Sequence, residues 1–168
     1  MPLPHQLQCD LDIMKQSRLM KERIRRVTLL FKELGYQIEA EEYDNDAYTA
    51  GFKSPGLVGG FMYIDRECRF LELAYTFLFS SSLNAFLRSQ IKAVQDICYE
   101  FGCYYLVRND EDDILLTVHS KVYYAGLNYF SLKETLRDLS GAVHSIEEQI
   151  DIIFDPDMEL EDESGENS

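Results

Sequence analysis

The chain lacks the features that mark disulfide-stabilised, zinc-binding or membrane-spanning proteins. Its four cysteines, Cys9, Cys68, Cys98 and Cys103, form no CxxC pair and lie in segments with helix or strand character, which favours reduced core thiols. No apolar run reaches the 18 residues that a membrane helix needs, and no basic start is followed by the apolar run of a signal peptide. We therefore expect a cytoplasmic protein.

Positive charge is also scarce. The sequence has 16 lysines and arginines against 30 acidic residues, which gives a formal net charge of −14. Such a charge opposes binding to phosphate backbones and to anionic membrane surfaces, so nucleic acid and membrane are not expected partners. The 168 residues are 46% hydrophobic, which is enough to bury one core without a metal ion or a cofactor.

No motif for catalysis, metal binding or cofactor binding is recognisable. The three histidines, His5, His119 and His144, form no HExxH pattern and lie at no zinc-binding distance in sequence from a cysteine. The acidic run at residues 110–113 lacks the glycine and the closing glutamate of a calcium loop, and no nucleophile elbow is present. The sequence therefore predicts that the protein is not an enzyme and that it holds no cofactor.

Three segments have the apolar spacing of amphipathic helices: residues 10–34, 81–101 and 131–153. Gly35 and Gly102 end the first two, and Ser131 with Glu134 predicts a capping box at the start of the third. The first helix is strongly basic on its polar face, which is unusual in an acidic protein.

Strands are predicted between these helices. Residues 57–64 and 69–79 are rich in aromatic and β-branched side chains and form one predicted hairpin, and residues 104–108 and 114–124 form a second. Residues 36–42 have weaker strand character, and residues 42–56 are rich in turn residues and predict a polar loop. The predicted fold is a two-layer α+β domain with an antiparallel sheet packed against helices, in the order α-β-β-β-α-β-β-α.

Composition divides the chain into three parts. Residues 1–9 are expected to be a flexible N-terminus, and residues 10–154 a single α+β domain. Residues 155–168 carry seven acidic and no basic side chains, with little to bury, and are predicted to be a disordered acidic tail.

The order of elements and the amphipathic last helix resemble the fold shared by class I type III secretion chaperones and the YbjN-like family of bacterial regulators. The resemblance covers about residues 10–153. Its most specific stretch is Val122-Tyr123-Tyr124, then Gly126, then the Ser131-x-x-Glu134 helix start with Leu136 and Leu139. It implies a bacterial protein that binds other proteins, commonly as a homodimer. The secretion chaperones hold an extended effector segment on apolar patches, and no catalytic residue is implied.

Two surfaces are predicted to bind a protein partner, such as an effector or a regulatory protein. The first is a strand with apolar residues on both faces, because a sheet covered by helices on one side exposes the other. The second is the basic face of the first helix, which suits an acidic partner or the chain's own acidic tail. The partner-binding residues predicted on these surfaces are Phe61, Met62, Tyr63, Ile64, Arg18 and Arg25.

The second helix and second hairpin carry more apolar residues than one buried stripe requires, which predicts a dimer surface at Phe86, Val94, Ile97 and Tyr105. The sequence thus favours a non-enzymatic, chaperone-like or regulatory module that holds an extended segment of a partner. The alternative is a small-ligand or signalling domain with a tyrosine-lined pocket between sheet and helices.

Overall fold

A computed structural model describes residues 18–44 and 46–151. The predicted flexible N-terminus, the start of the first helix and the predicted acidic tail lie outside these described residues. Three α-helices are present within them: α1 Arg18–Glu33, α2 Asn84–Glu100 and α3 Tyr129–Asp151. None of the helices in these ranges combines the length and the apolar content that crossing a lipid bilayer requires.

Six antiparallel strands form one sheet in the order β1-β2-β3-β4-β6-β5. The strands are β1 Gln37–Tyr43, β2 Ala47–Ser54, β3 Leu57–Asp65, β4 Phe70–Ser80, β5 Tyr104–Asp110 and β6 Asp113–Tyr123. Every second residue of β6 from Ile114 to Val122 is buried, and helix α3 packs on this strand and on β4 and β3. The predicted α+β class, with an antiparallel sheet packed against helices, is confirmed.

The number of strands before α2 differs from the prediction. Residues 42–56 were expected to form a loop, but β2 occupies most of this stretch, so the order is α-β-β-β-β-α-β-β-α. Tyr48, Ala50 and Phe52 are buried on the helix-covered face, while the residues between them face the other way. The turn residues at either end therefore bound a short strand rather than fill a loop.

The start of α3 also differs from the prediction. The Oδ1 atom of Asn128 accepts hydrogen bonds from the backbone N–H of Phe130 and of Ser131, and Ser131 Oγ accepts one from the Asn128 N–H. This reciprocal pair is a capping arrangement with Asn128 as the cap. The predicted box from Ser131 to Glu134 is therefore wrong by one helical turn.

The buried face of α1 is as predicted: Met20, Ile24, Val27 and Phe31 are all buried in the core. Its basic face is only partly free. Arg23 donates to the backbone carbonyl of Asp65 at 2.9 Å, and its guanidinium lies 4.2 Å from the centre of the Tyr124 ring. Arg23 therefore holds α1 against the turn between β3 and β4 and against Tyr124, which precedes α3.

Candidate partner-binding site

Within residues 18–44 and 46–151, helices cover only one face of the sheet, and the opposite face, called here the open face, carries large apolar side chains. Cross-strand pairing places Phe61 beside Ala74, and Ala74 beside His119, on this face. The exposed large apolar residues on the open face are Phe61, Tyr63, Leu78, Leu106 and Tyr123. Exposed apolar patches of this kind mark sites where a partner docks.

The sheet splits between β3 and β4. These strands pair only where residues 61–63 face residues 72–74. Earlier residues of β3 pair with β2 alone, and later residues of β4 pair with β6 alone. A cavity of about 450 Å³ lies at this gap, and we call it the β3–β4 cleft. Gly59 and Gly60 line it from β3, Tyr75 and Thr76 line it from β4, and residues of β1 and β2 complete its wall.

The backbone along the β4 side of this cleft has free hydrogen-bonding groups. A methyl group at Gly60 would lie 2.5 Å from the carbonyl oxygen of Ala74, so this carbonyl points towards β3. Backbone groups alternate in direction along a strand, which directs the N–H and C=O of Thr76 and Leu78 towards the cleft as well. No described residue pairs with this side of β4 beyond Ala74. The cleft therefore contains an unpaired strand edge.

A polar cluster lies on the open face, where β3 and β4 are paired and Tyr63 faces Glu72. The hydroxyl of Tyr104 donates to Glu72 Oε2 at 2.5 Å, and the Tyr104 ring stacks on the His119 ring at 5.0 Å between centres. The Nδ1 atom of His119 is 3.4 Å from Glu72 Oε1, but it is buried and its contact lacks hydrogen-bond geometry. The cluster fixes a carboxylate within an apolar surface, which gives a bound partner one directional polar contact.

Burial determines the protonation of this cluster. Burial lowers the pKa of His119, the carboxylate of Glu72 partly offsets that effect, and Arg108 lowers the pKa further. Burial and the hydrogen bond to Glu72 both raise the pKa of Tyr104. At neutral pH the imidazole and the phenol are therefore uncharged.

The lowered pKa of His119 predicts acid-sensitive stability. Above its ordinary pKa of 6.5 the histidine is neutral in folded and unfolded chains alike. As the pH falls below that value, the unfolded chain binds the proton first, so the free energy of unfolding falls by up to about 1.4 kcal/mol per pH unit. We expect His119→Gln to flatten this slope between pH 7 and pH 5 in urea denaturation. The same change at the exposed His144 serves as the control, and equal slopes in both variants would contradict the prediction.

Of the four partner-binding residues predicted on β3, two lie on the open face and two do not. Phe61 is 57% exposed and Tyr63 is 38% exposed beside the cleft. Met62 and Ile64 are 1% and 0% exposed, inside the core, so their inclusion in a binding surface is wrong. A run of four apolar residues does not reveal which alternate pair is buried, because the packing of α1 and α3 decides it.

The predicted basic surface is separate from this site. Arg18 and Arg25 are exposed on α1, which packs on the helix-covered side of the sheet. Arg25 forms an ion pair with Glu22 at 3.0 Å, one turn earlier on the same helix. The structure therefore does not bring Arg18 and Arg25 together with Phe61 and Tyr63.

The predicted dimer residues pack within the chain itself. Val94 is 0% exposed, so it offers no surface to a second copy, and naming it as a contact was wrong. Phe86, Ile97 and Tyr105 are half-buried and pack against the core. The additional apolar residues of α2 pack against β5 and α3. A homodimer stays a prediction.

No direct signal for the cleft or for the polar cluster is recognisable in the sequence. Glu72 is the one charged residue of β4, and that exception could have indicated a partner for its carboxylate. Its neighbours come from β5 and β6, whose register is set only in the folded sheet. Within residues 18–44 and 46–151, no three histidine, cysteine or acidic side chains cluster as metal ligands would.

Two cysteines lie at the end of α2 and in the turn that follows it. Cys98 is buried, Cys103 is half-buried, and both are free thiols. Burial raises the pKa of each thiol to about 11, so thiolate is scarce at neutral pH and neither sulfur suits nucleophilic chemistry.

Comparison with known proteins gives a likeness of fold. No protein-family model and no curated protein matches the sequence. The crystal structure of an uncharacterized protein from Methanothermobacter thermautotrophicus is similar to this chain, with a TM-score of 0.62 at 16% sequence identity. The match covers 77% of this chain and 97% of that chain. At this identity the likeness shows that the two chains share a fold.

Proposed function

We propose that this protein is a non-enzymatic binding module that holds an extended segment of a partner protein by adding it as a strand in the β3–β4 cleft. The observation that carries the proposal is the unpaired edge of β4 after Ala74, next to an exposed apolar face. Strand addition uses main-chain hydrogen bonds for affinity and alternate side-chain positions for selectivity. A chaperone-like or regulatory role, in the cytoplasm, fits such a module.

The two sides of the cleft suit an extended chain with alternating apolar residues. Side chains on one side of an added strand would meet Phe61 and Leu78 on the open face. Those on the other side would meet Tyr75 and Phe77, which are only half-buried over the core. Glu72 would offer a nearby carboxylate to a hydroxyl or amide of the partner.

The experiment selects ligands and then removes one backbone donor. A phage-displayed library of random 12-residue peptides is panned against the protein, and the enriched peptides are measured by fluorescence polarisation. Leu78→Pro removes the N–H that faces the cleft without removing a hydrogen bond to β6, and we expect at least a tenfold weaker Kd. Leu78→Ala keeps the N–H and removes only the exposed side chain, so it is the matched control.

The three outcomes separate the mechanisms. A large loss with proline and a small loss with alanine supports strand addition. Equal losses indicate that the side chain rather than the backbone binds, which overturns strand addition. Failure of any peptide to enrich, with circular dichroism showing folded protein, overturns the proposed function itself.

A further inference from the structure

A second concave surface lies on the helix-covered side of the molecule. It is a groove of about 870 Å³ between the end of α1, the start of β3 and one stripe of α3, and we call it the α1–α3 groove. Leu34, Tyr36 and Val58 form its apolar wall. The groove faces away from the open face and is therefore independent of the proposed cleft site.

The α3 side of the groove carries charged side chains of both signs. Lys133, Arg137 and His144 line it at helical spacing together with Glu134, and His144 lies 3.3 Å from Glu148. Among the residues that the structure describes, Lys133 has no carboxylate within ion-pair distance. Arg137 pairs with Glu134 at 2.6 Å, and that pair is largely exposed. The groove thus combines an apolar wall with the positive charge of Lys133, which suits a peptide that has both acidic and apolar side chains.

A segment of that chemistry belongs to this chain. Residues 152–168 contain seven acidic and no basic residues, and they include Phe154, Met158 and Leu160. The segment follows α3 directly. Lys133 lies about 27 Å along the helix axis from Asp151, whereas 17 residues can span up to about 56 Å. The segment is therefore long enough to return along the whole groove.

We propose that residues 152–168 bind in the α1–α3 groove of their own chain and close it to other acidic ligands. Tethering supplies the segment at an effective concentration in the millimolar range, so even a weak contact keeps the groove occupied. Lys133 and Arg137 pair with its carboxylates, and Leu34, Tyr36 and Val58 pack against its apolar residues. The attraction is electrostatic at long range and weakens with added salt.

The test uses the segment as a separate peptide. A fluorescein-labelled peptide of residues 152–168 is titrated with the full-length chain and with a chain that ends at Asp151. We expect binding to the shortened chain at least tenfold tighter than to the full-length chain, because the tethered segment competes. Equal binding to both chains, or binding to neither, overturns the proposal.

Charge reversal locates the site. Lys133→Glu in the shortened chain is expected to weaken peptide binding at least tenfold. Lys21→Glu on the exposed face of α1 makes the same change of charge outside the groove and is expected to change binding less than threefold. If Lys21→Glu weakens peptide binding and Lys133→Glu does not, the segment binds on α1, and the proposed binding in the α1–α3 groove is overturned. Light scattering measures the oligomeric state of both chains. If the full-length chain is a dimer and the shortened chain is a monomer, residues 152–168 bind a second copy, which overturns binding within one chain.

Discussion

Replacement of Phe31 by alanine is expected to lower the free energy of unfolding by about 3–5 kcal/mol. Phe31 is 0% exposed, and its ring lies 4.9 Å from that of Phe52 and 5.7 Å from that of Tyr36. Truncation removes a full aromatic side chain from the point where α1 meets β2. The surrounding sheet and helix relax only partly, so the loss of burial is increased by the cavity that remains.

Two control variants separate the effect of side-chain volume from the effect of the position on α1. Phe31→Leu keeps most of the volume and is expected to cost about 1–1.5 kcal/mol, because shape alone changes. Leu29→Ala lies two residues away on the same helix, where the side chain is 50% exposed, and is expected to cost less than about 1 kcal/mol. Urea denaturation at 25 °C measures all three. Similar losses for Phe31→Ala and Leu29→Ala would contradict the packing of α1 on the sheet.

This aromatic cluster also connects the two candidate binding surfaces. Phe52 lines the β3–β4 cleft, and Tyr36 lines the α1–α3 groove. Phe31 packs against both rings from the helix side. Loss of Phe31 is therefore expected to loosen the walls of both surfaces, whereas Leu29→Ala leaves them intact.

The helices were the most predictable part of the fold. Their buried faces follow from three- and four-residue spacing, and Gly35 and Gly102 adopt the left-handed conformation that ends α1 and α2. The capping position of α3 was wrong because both Asn128 and Ser131 are good caps and only the path of the preceding chain selects between them. Local sequence patterns thus predict the presence of a helix more reliably than they predict the residue at which it begins.

The strand β2 was missed for a local reason. Its sequence contains Ala47, Ala50 and Gly51, which give little apolar signal, and turn residues border it closely. The alternation of Tyr48 and Phe52 with smaller residues becomes meaningful only when β1 and β3 pair on either side. Strand propensity is context-dependent in this way.

The candidate site depends on contacts that are distant in sequence. The β3–β4 cleft exists because pairing stops at Ala74, and nothing in the hairpin sequence marks that residue as the last one paired. Glu72, Tyr104 and His119 meet only through the register of β4, β5 and β6. The sequence did predict that one sheet face would stay exposed, and Phe61 and Tyr63 lie there.

Gly60→Ala is expected to lower the free energy of unfolding by about 1–3 kcal/mol, because the added methyl group overpacks the point where β3 and β4 separate. The methyl group would lie 2.5 Å from the carbonyl oxygen of Ala74 and 3.0 Å from Phe52 Cζ. A backbone oxygen cannot rotate away as the end of a flexible side chain can. The strands must therefore move apart or the backbone must bend.

Gly126→Ala is the matched control, because a methyl group there meets none of the described residues within 4 Å. We expect its free energy of unfolding to stay within about 0.5 kcal/mol of the parent protein. Phe61, the residue after Gly60, begins the pairing of β3 with β4, which consists of three residue pairs. Strain at Gly60 therefore weakens a short contact between the two strands. Equal stability of the two variants in urea would mean that β3 and β4 approach less closely than the structure has them. A loss of stability in Gly60→Ala alone would show that the missing side chain at Gly60 allows β3 and β4 to approach at the closed end of the cleft.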